Sequence, residues 1–317
     1  MAYTRTYSSR VHIGNWTEDV VLEEDTLKDF LDRRERGELA IQKIGLLKQN
    51  ILKKVDLSVS TDGWLHFGDT VMLVNPGSDR RYNPSQLRKS PQDPSALGLN
   101  ANVSGLSANS SIGAPCDVSG TRTMEPSART AFVITSVDGT PVGETLKYNQ
   151  HFALRTTEGF AGGLYLESDI KTPQKYAKMS RLQEVNLTDE PSFLTRWHVV
   201  YFDPQERLEY EGLPVPVNTT VIIAHCKTNQ CLGVLGNHVS WTSFGKEYEV
   251  VAQTYLDSHK AECDVNYWLF VSANPGVEGQ AVLDRPAPMA NITPTENLEN
   301  RISEASDTGL CDEKQDI

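Results

Sequence analysis

A three-fold recurrence of short apolar runs constrains this chain more than any other feature. Thr130-Ala131-Phe132-Val133-Ile134, Arg196-Trp197-His198-Val199-Val200 and Tyr267-Trp268-Leu269-Phe270-Val271 share one pattern, a closing strand with a large aromatic near its start. An opening strand precedes each at a distance: Leu65 to Leu73, Leu146 to Leu154 and Val215 to Ile223. These runs are short, β-branched or aromatic, and bounded by Gly, Asn, Asp or Ser, which reads as strands joined by turns. Leu164-Tyr165-Leu166 and Leu232-Gly233-Val234 supply hairpin strands in the second and third copies. One such unit cannot bury both of its faces alone, so the copies must pack on one another. Three copies of a four-strand unit predict a mainly β fold, a β-trefoil, in which three hairpins close a barrel and three more cap it. A β-sandwich also offers many short strands but no three-fold repeat.

The copies differ in length. Phe152 and Trp197 are 45 residues apart, Val221 and Trp268 are 47 apart, and Val71 and Phe132 are 61 apart. The excess falls in residues 77–127, rich in Ser, Pro, Asn and Gly with widely spaced Leu, which reads as a disordered insertion in the first copy. Val137-Asp138-Gly139-Thr140 reads as the turn between copies. Gly159-Phe160-Ala161-Gly162-Gly163 is followed by a strand, not by Lys-Ser/Thr and a helix, so it is a hairpin turn and not a phosphate loop. The predicted organisation is an N-terminal arm over 1–54, a trefoil over 55–275 and a Pro-containing, disordered acidic tail over 276–317.

Within the arm the pattern turns helical after Glu23. Leu27, Phe30 and Leu31 form one stripe, Gly37 breaks the helix, and Leu39, Ile44, Leu47 and Ile51 carry a second. The commoner reading of such stripes is burial against their own domain. The alternative is an arm laid on another protein. Its candidate anchors are Arg10 and Trp16, because interfaces draw their energy from a few aromatic and Arg side chains. Trp16 can equally pack against its own domain.

The chain has 30 Lys+Arg against 42 Asp+Glu. That balance excludes a general binder of nucleic-acid backbones, which needs clustered positive charge. No apolar run reaches the length of a membrane span. No apolar segment follows Met1 in the manner of a secretory signal, and five scattered Cys form no disulfide framework, which together predict a reducing compartment. The best metal candidate is His225-Cys226 with Cys231. Neighbouring strand residues point to opposite faces, so His225 and Cys226 converge poorly, and the thiols read as small core residues. No metal or cofactor is expected. Gly-x-Ser-x-Gly, His-Glu-x-x-His and the dinucleotide fingerprint are absent. Asp257-Ser258-His259 is contiguous and cannot take a triad's geometry, so it reads as a turn. Glu247 and Glu249 share a strand face and read as solvated carboxylates. Trp197 and Trp268 could line a sugar site, which keeps a carbohydrate-binding trefoil as the alternative function. At matching repeat positions they read first as core.

Several runs together resemble a known family. Val11-His12-Ile13-Gly14-Asn15-Trp16-Thr17-Glu18-Asp19-Val20, Leu208-Glu209-Tyr210-Glu211-Gly212, Phe244-Gly245-Lys246-Glu247 and Thr254-Tyr255-Leu256-Asp257-Ser258-His259 are similar to the cilia- and flagella-associated protein 161 family of microtubule inner proteins. The resemblance covers roughly residues 10–75 and 130–275. It implies a MIR-like trefoil and no catalytic residue. It also implies residence in the lumen of the doublet A-tubule, with α/β-tubulin and other microtubule inner proteins as partners.

Overall fold

Six strands of alternating inward residues pair into a closed ring. A computed structural model describes residues 16–77, 93–101 and 111–273. Two helices come first, α1 (Trp16–Glu35) and α2 (Ala40–Ile51). Twelve strands follow: β1 (Thr70–Asn75), β2 (Ser95–Asn100), β3 (Cys116–Thr121), β4 (Ala131–Ser136), β5 (His151–Thr156), β6 (Tyr165–Ser168), β7 (Val185–Thr188), β8 (Trp197–Tyr201), β9 (Thr220–His225), β10 (Leu232–Thr242), β11 (Gly245–Ala252) and β12 (Tyr267–Val271). Antiparallel pairing runs β1–β4–β5–β8–β9–β12 and back to β1, so the barrel has no edge. Hairpins β2–β3, β6–β7 and β10–β11 cap one end. They are joined through β11–β3 and β3–β7.

This is the predicted β-trefoil, and its three-fold axis is visible in single hydrogen bonds. Leu65 N donates to Val215 O, Val215 N to Leu146 O, and Leu146 N to Leu65 O, at 2.8–2.9 Å. All three side chains are fully buried. The turn before each opening strand places Gly68, Asn149 and Asn218 at positive φ, a conformation that Gly and Asn accept most readily. Within each copy the opening strand pairs with the closing strand at the same register: Val71 with Phe132, Phe152 with Trp197, Val221 with Trp268.

Two expectations need correction. The insertion assigned to 77–127 contains β2 and β3, the hairpin of the first copy, with Leu97 and Leu99 fully buried. Only 78–92 and 102–110 of that stretch lie outside the described residues, as does the tail from 274 on. The hairpin escaped the strand pattern because small or polar residues, such as Ser95, Gly98, Ser119 and Gly120, interrupt its apolar ones. Their smallness is imposed from outside: a Cβ on Gly120 would stand 2.9 Å from Val234 Cγ1 and 3.2 Å from Tyr248 Cβ. The second correction concerns the boundary at 54. Leu47 and Ile51 of α2 are fully buried in the main core, and Lys53 O accepts from Ala128 N. So α2 belongs to the trefoil. Helix α1 does not bury its stripe: Leu27 and Phe30 are 58 and 45 % exposed. Gly37, at φ 72, ends α1 as expected, with Glu38 N donating to Arg33 O.

Candidate partner-binding surface

Of the two predicted anchors, Arg10 lies outside the described residues and Trp16 supplies the first residue of α1. The exposed large apolar residues of α1 are Val20, Val21, Leu22, Leu27 and Phe30. At the α1–α2 corner a groove of about 730 Å³ opens between Arg33, Lys43 and Ile44 on one side and Trp241 and Thr242 on the other. Trp241 is 77 % exposed, with Lys246 Nζ 5.0 Å over its ring. Sequence reasoning passed over Trp241, Val20 and Val21. Trp241 sits in an alternating run that reads like any half-buried strand. Its outward face follows from a register shift between Leu235 and Val239 that carries the rest of β10 beyond the core.

Elsewhere the groups that could carry chemistry are occupied. His225 is fully buried. Its Nε2 donates to Leu194 O and its Nδ1 accepts from Thr228 Oγ1, both at 2.9 Å, leaving no nitrogen for a metal. Cys226 points to the opposite side of β9, 3.4 Å from His198 Nδ1. Burial pushes the thiols of Cys226 and Cys231 up to about 11, away from the thiolate a metal would need. Among the described residues no group of three His, Cys, Asp or Glu side chains gathers to hold an ion.

The reading of Glu247 as solvated is wrong. Its carboxylate is buried and accepts from Arg129 Nη2 at 2.7 Å, Ser119 Oγ at 2.7 Å and Thr242 Oγ1 at 2.9 Å. Phe244 lies on the guanidinium at 3.9 Å, and Arg129 Nε donates to Leu99 O. This pair clamps the first hairpin to the third, and its charge is spent on its own partners. Glu249 accepts from Met179 N and Ser180 N. Asp257 caps a turn by accepting from His259 N and Ala261 N, as expected.

Trp197 and Trp268 are fully buried, and each donates its Nε1–H at 2.9 Å to a hairpin carbonyl, Leu166 O and Leu232 O. Neither ring can stack on a sugar. Opposite them across the copy boundary stand buried polar residues. Thr156 pairs with Phe132, His225 pairs with Trp197, and Asn75 lies one step beyond the Val74–Leu269 pair. Asn75 Nδ2 donates to Tyr267 O at 2.8 Å, and Thr156 Oγ1 accepts from Leu164 N at 2.7 Å. These polar groups hydrogen-bond nearby backbone and side chains, as buried polar groups do.

Fold and surface thus define a β-trefoil whose buried polar side chains, Ser95 Oγ and Asn186 Oδ1 apart, are hydrogen-bonded among the described residues, and an N-terminal helix whose apolar residues face outward. Residues 43–273 match the family described as "Cilia- and flagella-associated protein 161-like domain". The chain is 54 % identical over 286 residues to cilia- and flagella-associated protein 161 of Danio rerio, covering 89 % of this chain and 93 % of that one. The Bos taurus protein of the same name is 43 % identical, with 96 and 93 % covered, and the Mus musculus protein 41 %, with 90 and 95 % covered. The chain belongs to the cilia- and flagella-associated protein 161 family. Among solved structures, an SDF2-like protein from Arabidopsis thaliana is similar at 14 % identity and TM-score 0.44, with 65 and 94 % covered. A Caenorhabditis elegans protein of unknown function is similar at 14 % and 0.46, with 67 and 98 % covered. The trefoil assignment rests on the chain's own strand pairing.

Proposed function

We propose that this chain is a non-enzymatic structural protein of ciliary and flagellar axonemes. In this reading it sits in the lumen of the doublet A-tubule, binds α/β-tubulin and neighbouring microtubule inner proteins, and stabilises the axoneme for motility. Family membership supports the ciliary part. The observation that carries the binding part is α1, a 20-residue helix that keeps Val20, Leu27 and Phe30 exposed. Exposed apolar sets of this kind mark interaction sites. Trp241, on the far wall of the corner groove, is the second anchor. The net charge of −12 suits a protein partner and not a nucleic acid.

Two measurements test the reading. A tagged copy in ciliated cells is expected in axonemes, resistant to salt washes that strip outer-surface proteins and released only when the doublet wall is disrupted. A chain beginning at Glu38, which lacks α1 but keeps α2, is expected to fold and to incorporate poorly. Release at moderate salt contradicts luminal residence, and full incorporation of the shortened chain removes α1 as a contact.

A further inference from the structure

The apolar residues of α1 have a spacing and a charge setting that specify what they fit. Val20, Leu27 and Phe30 stand at i, i+7 and i+10, and Leu31, half-buried, completes the same side at i+11. This is the pattern of a helix that lies in a partner's groove. Glu24 is four residues after Val20 and three before Leu27, so it belongs to the same side, and it is exposed. Between residues 17 and 27 there are five acids, Glu18, Asp19, Glu23, Glu24 and Asp25, and no Lys or Arg. An acidic residue favours a helix only within the first turn or so. Glu18 and Asp19 have that function, and Glu24 lies beyond it.

Resting on the proposed axonemal function, we infer that α1 seats in an apolar furrow of another protein, and that the rim of this furrow, along the first half of the helix, carries Lys or Arg. A second copy of this chain is a poor occupant. At the basic end of α1 two of the three Arg side chains are engaged: Arg33 pairs with Asp29 at 2.9 Å and, just past the helix, Arg36 with Glu38 at 3.9 Å. The corner groove sets Arg33, Lys43 and Lys178 among Glu38 and Asp117, and two of its three bases are already spent on acids, Lys178 on Asp117 and Arg33 on Asp29.

The experiment places a photo-crosslinking residue at Leu27 of the full-length chain, expressed in ciliated cells lacking the native copy, and illuminates intact axonemes. The expected adduct is to another axonemal protein, at an apolar position flanked by Lys or Arg. Glu24→Lys and Val20→Asp are expected to lower both adduct and incorporation at least tenfold, and Glu24→Gln by a smaller factor. All three variants are expected to melt with the unaltered protein, because these side chains are exposed. An adduct to a second copy of this chain, an adduct to an acidic surface, or no adduct from a chain present in axonemes overturns the inference. So does Glu24→Lys incorporation at the full level, or a melting point lowered by Val20→Asp, which would mean that α1 packs on its own fold. Absence of the unaltered full-length chain from axonemes instead overturns the axonemal reading itself, and the inference falls with it.

Discussion

Trp268 and Trp197 hold equivalent places, each fully buried and each tying a hairpin carbonyl to the barrel. Truncating a buried Trp to Ala costs about 3–5 kcal/mol, a large share of the ~5–15 kcal/mol that keeps a domain folded. Trp268→Ala and Trp197→Ala are each expected to lower the denaturation midpoint sharply or to leave an unfolded chain. An unchanged midpoint in both would contradict the core assignment. A second expectation concerns acid. His198 faces Cys226 and, across the β5–β8 pair, His151. Burial, and to a lesser degree repulsion from His151 and His225, pulls its pKa down to about 4 from 6.5. Burial also lowers that of His225. A lowered folded-state pKa means that the unfolded chain binds more protons across this window. Stability present above pH 6.5 is therefore lost as pH falls toward 4. His198→Asn should flatten that slope in urea unfolding series at pH 7 and pH 4.5, and an unaltered slope would assign it to other groups.

At the level of elements, the two N-terminal helices part company. Helix α2 contributes Leu47 and Ile51 to the main core, and α1 contributes no fully buried side chain among those described. A chain starting at Glu38 should melt within a few degrees of the full chain. One starting at Val55 should melt far lower, since each lost Leu or Ile is worth about 2–5 kcal/mol. Equal melting of the two shortened chains would place α2 outside the core. The first hairpin gives a parallel test. Leu97 is fully buried on β2 and pairs with Gly120 on β3. Leu97→Ala should destabilise by about 2–5 kcal/mol, and replacing 95–121 by a Gly-Ser link should abolish folding. A stable protein after that replacement would return the stretch to the status of an insertion.

For the molecule as a whole, the barrel closes through backbone pairing of its six strands. Three of its buried polar groups find partners inside the fold: His225 with Leu194 and Thr228, Glu247 with Arg129, Asn75 with the backbone at the start of β12. Elemental analysis of purified protein is expected to find no stoichiometric zinc, and a chelator should leave the melting temperature unchanged. Zinc that Cys226→Ser or Cys231→Ser removes would contradict the reading of these thiols as packing residues.

The three-fold architecture was legible from the chain alone because it lives in the six barrel strands. Their inward residues, such as Phe132, Trp197 and Trp268, must be large and apolar whatever surrounds them, so the period repeats in plain view. The breaker at Gly37 and the turn at Asp257 were legible for the same reason, each set by local backbone chemistry. What the sequence could not reveal depends on distant neighbours. Gly120 is small because Val234 and Tyr248 press on it, so β3 looks like loop until the third copy is folded over the first. Glu247 looks solvated until Arg129, 118 residues away, is brought to it. Helices α1 and α2 carry similar apolar stripes, and only packing decides that Leu47 and Ile51 are sealed in the core while Val20, Leu27 and Phe30 stay in solvent. An apolar stripe records that a face is to be covered, but whether its own fold or another protein covers it is set by where tertiary contacts run out.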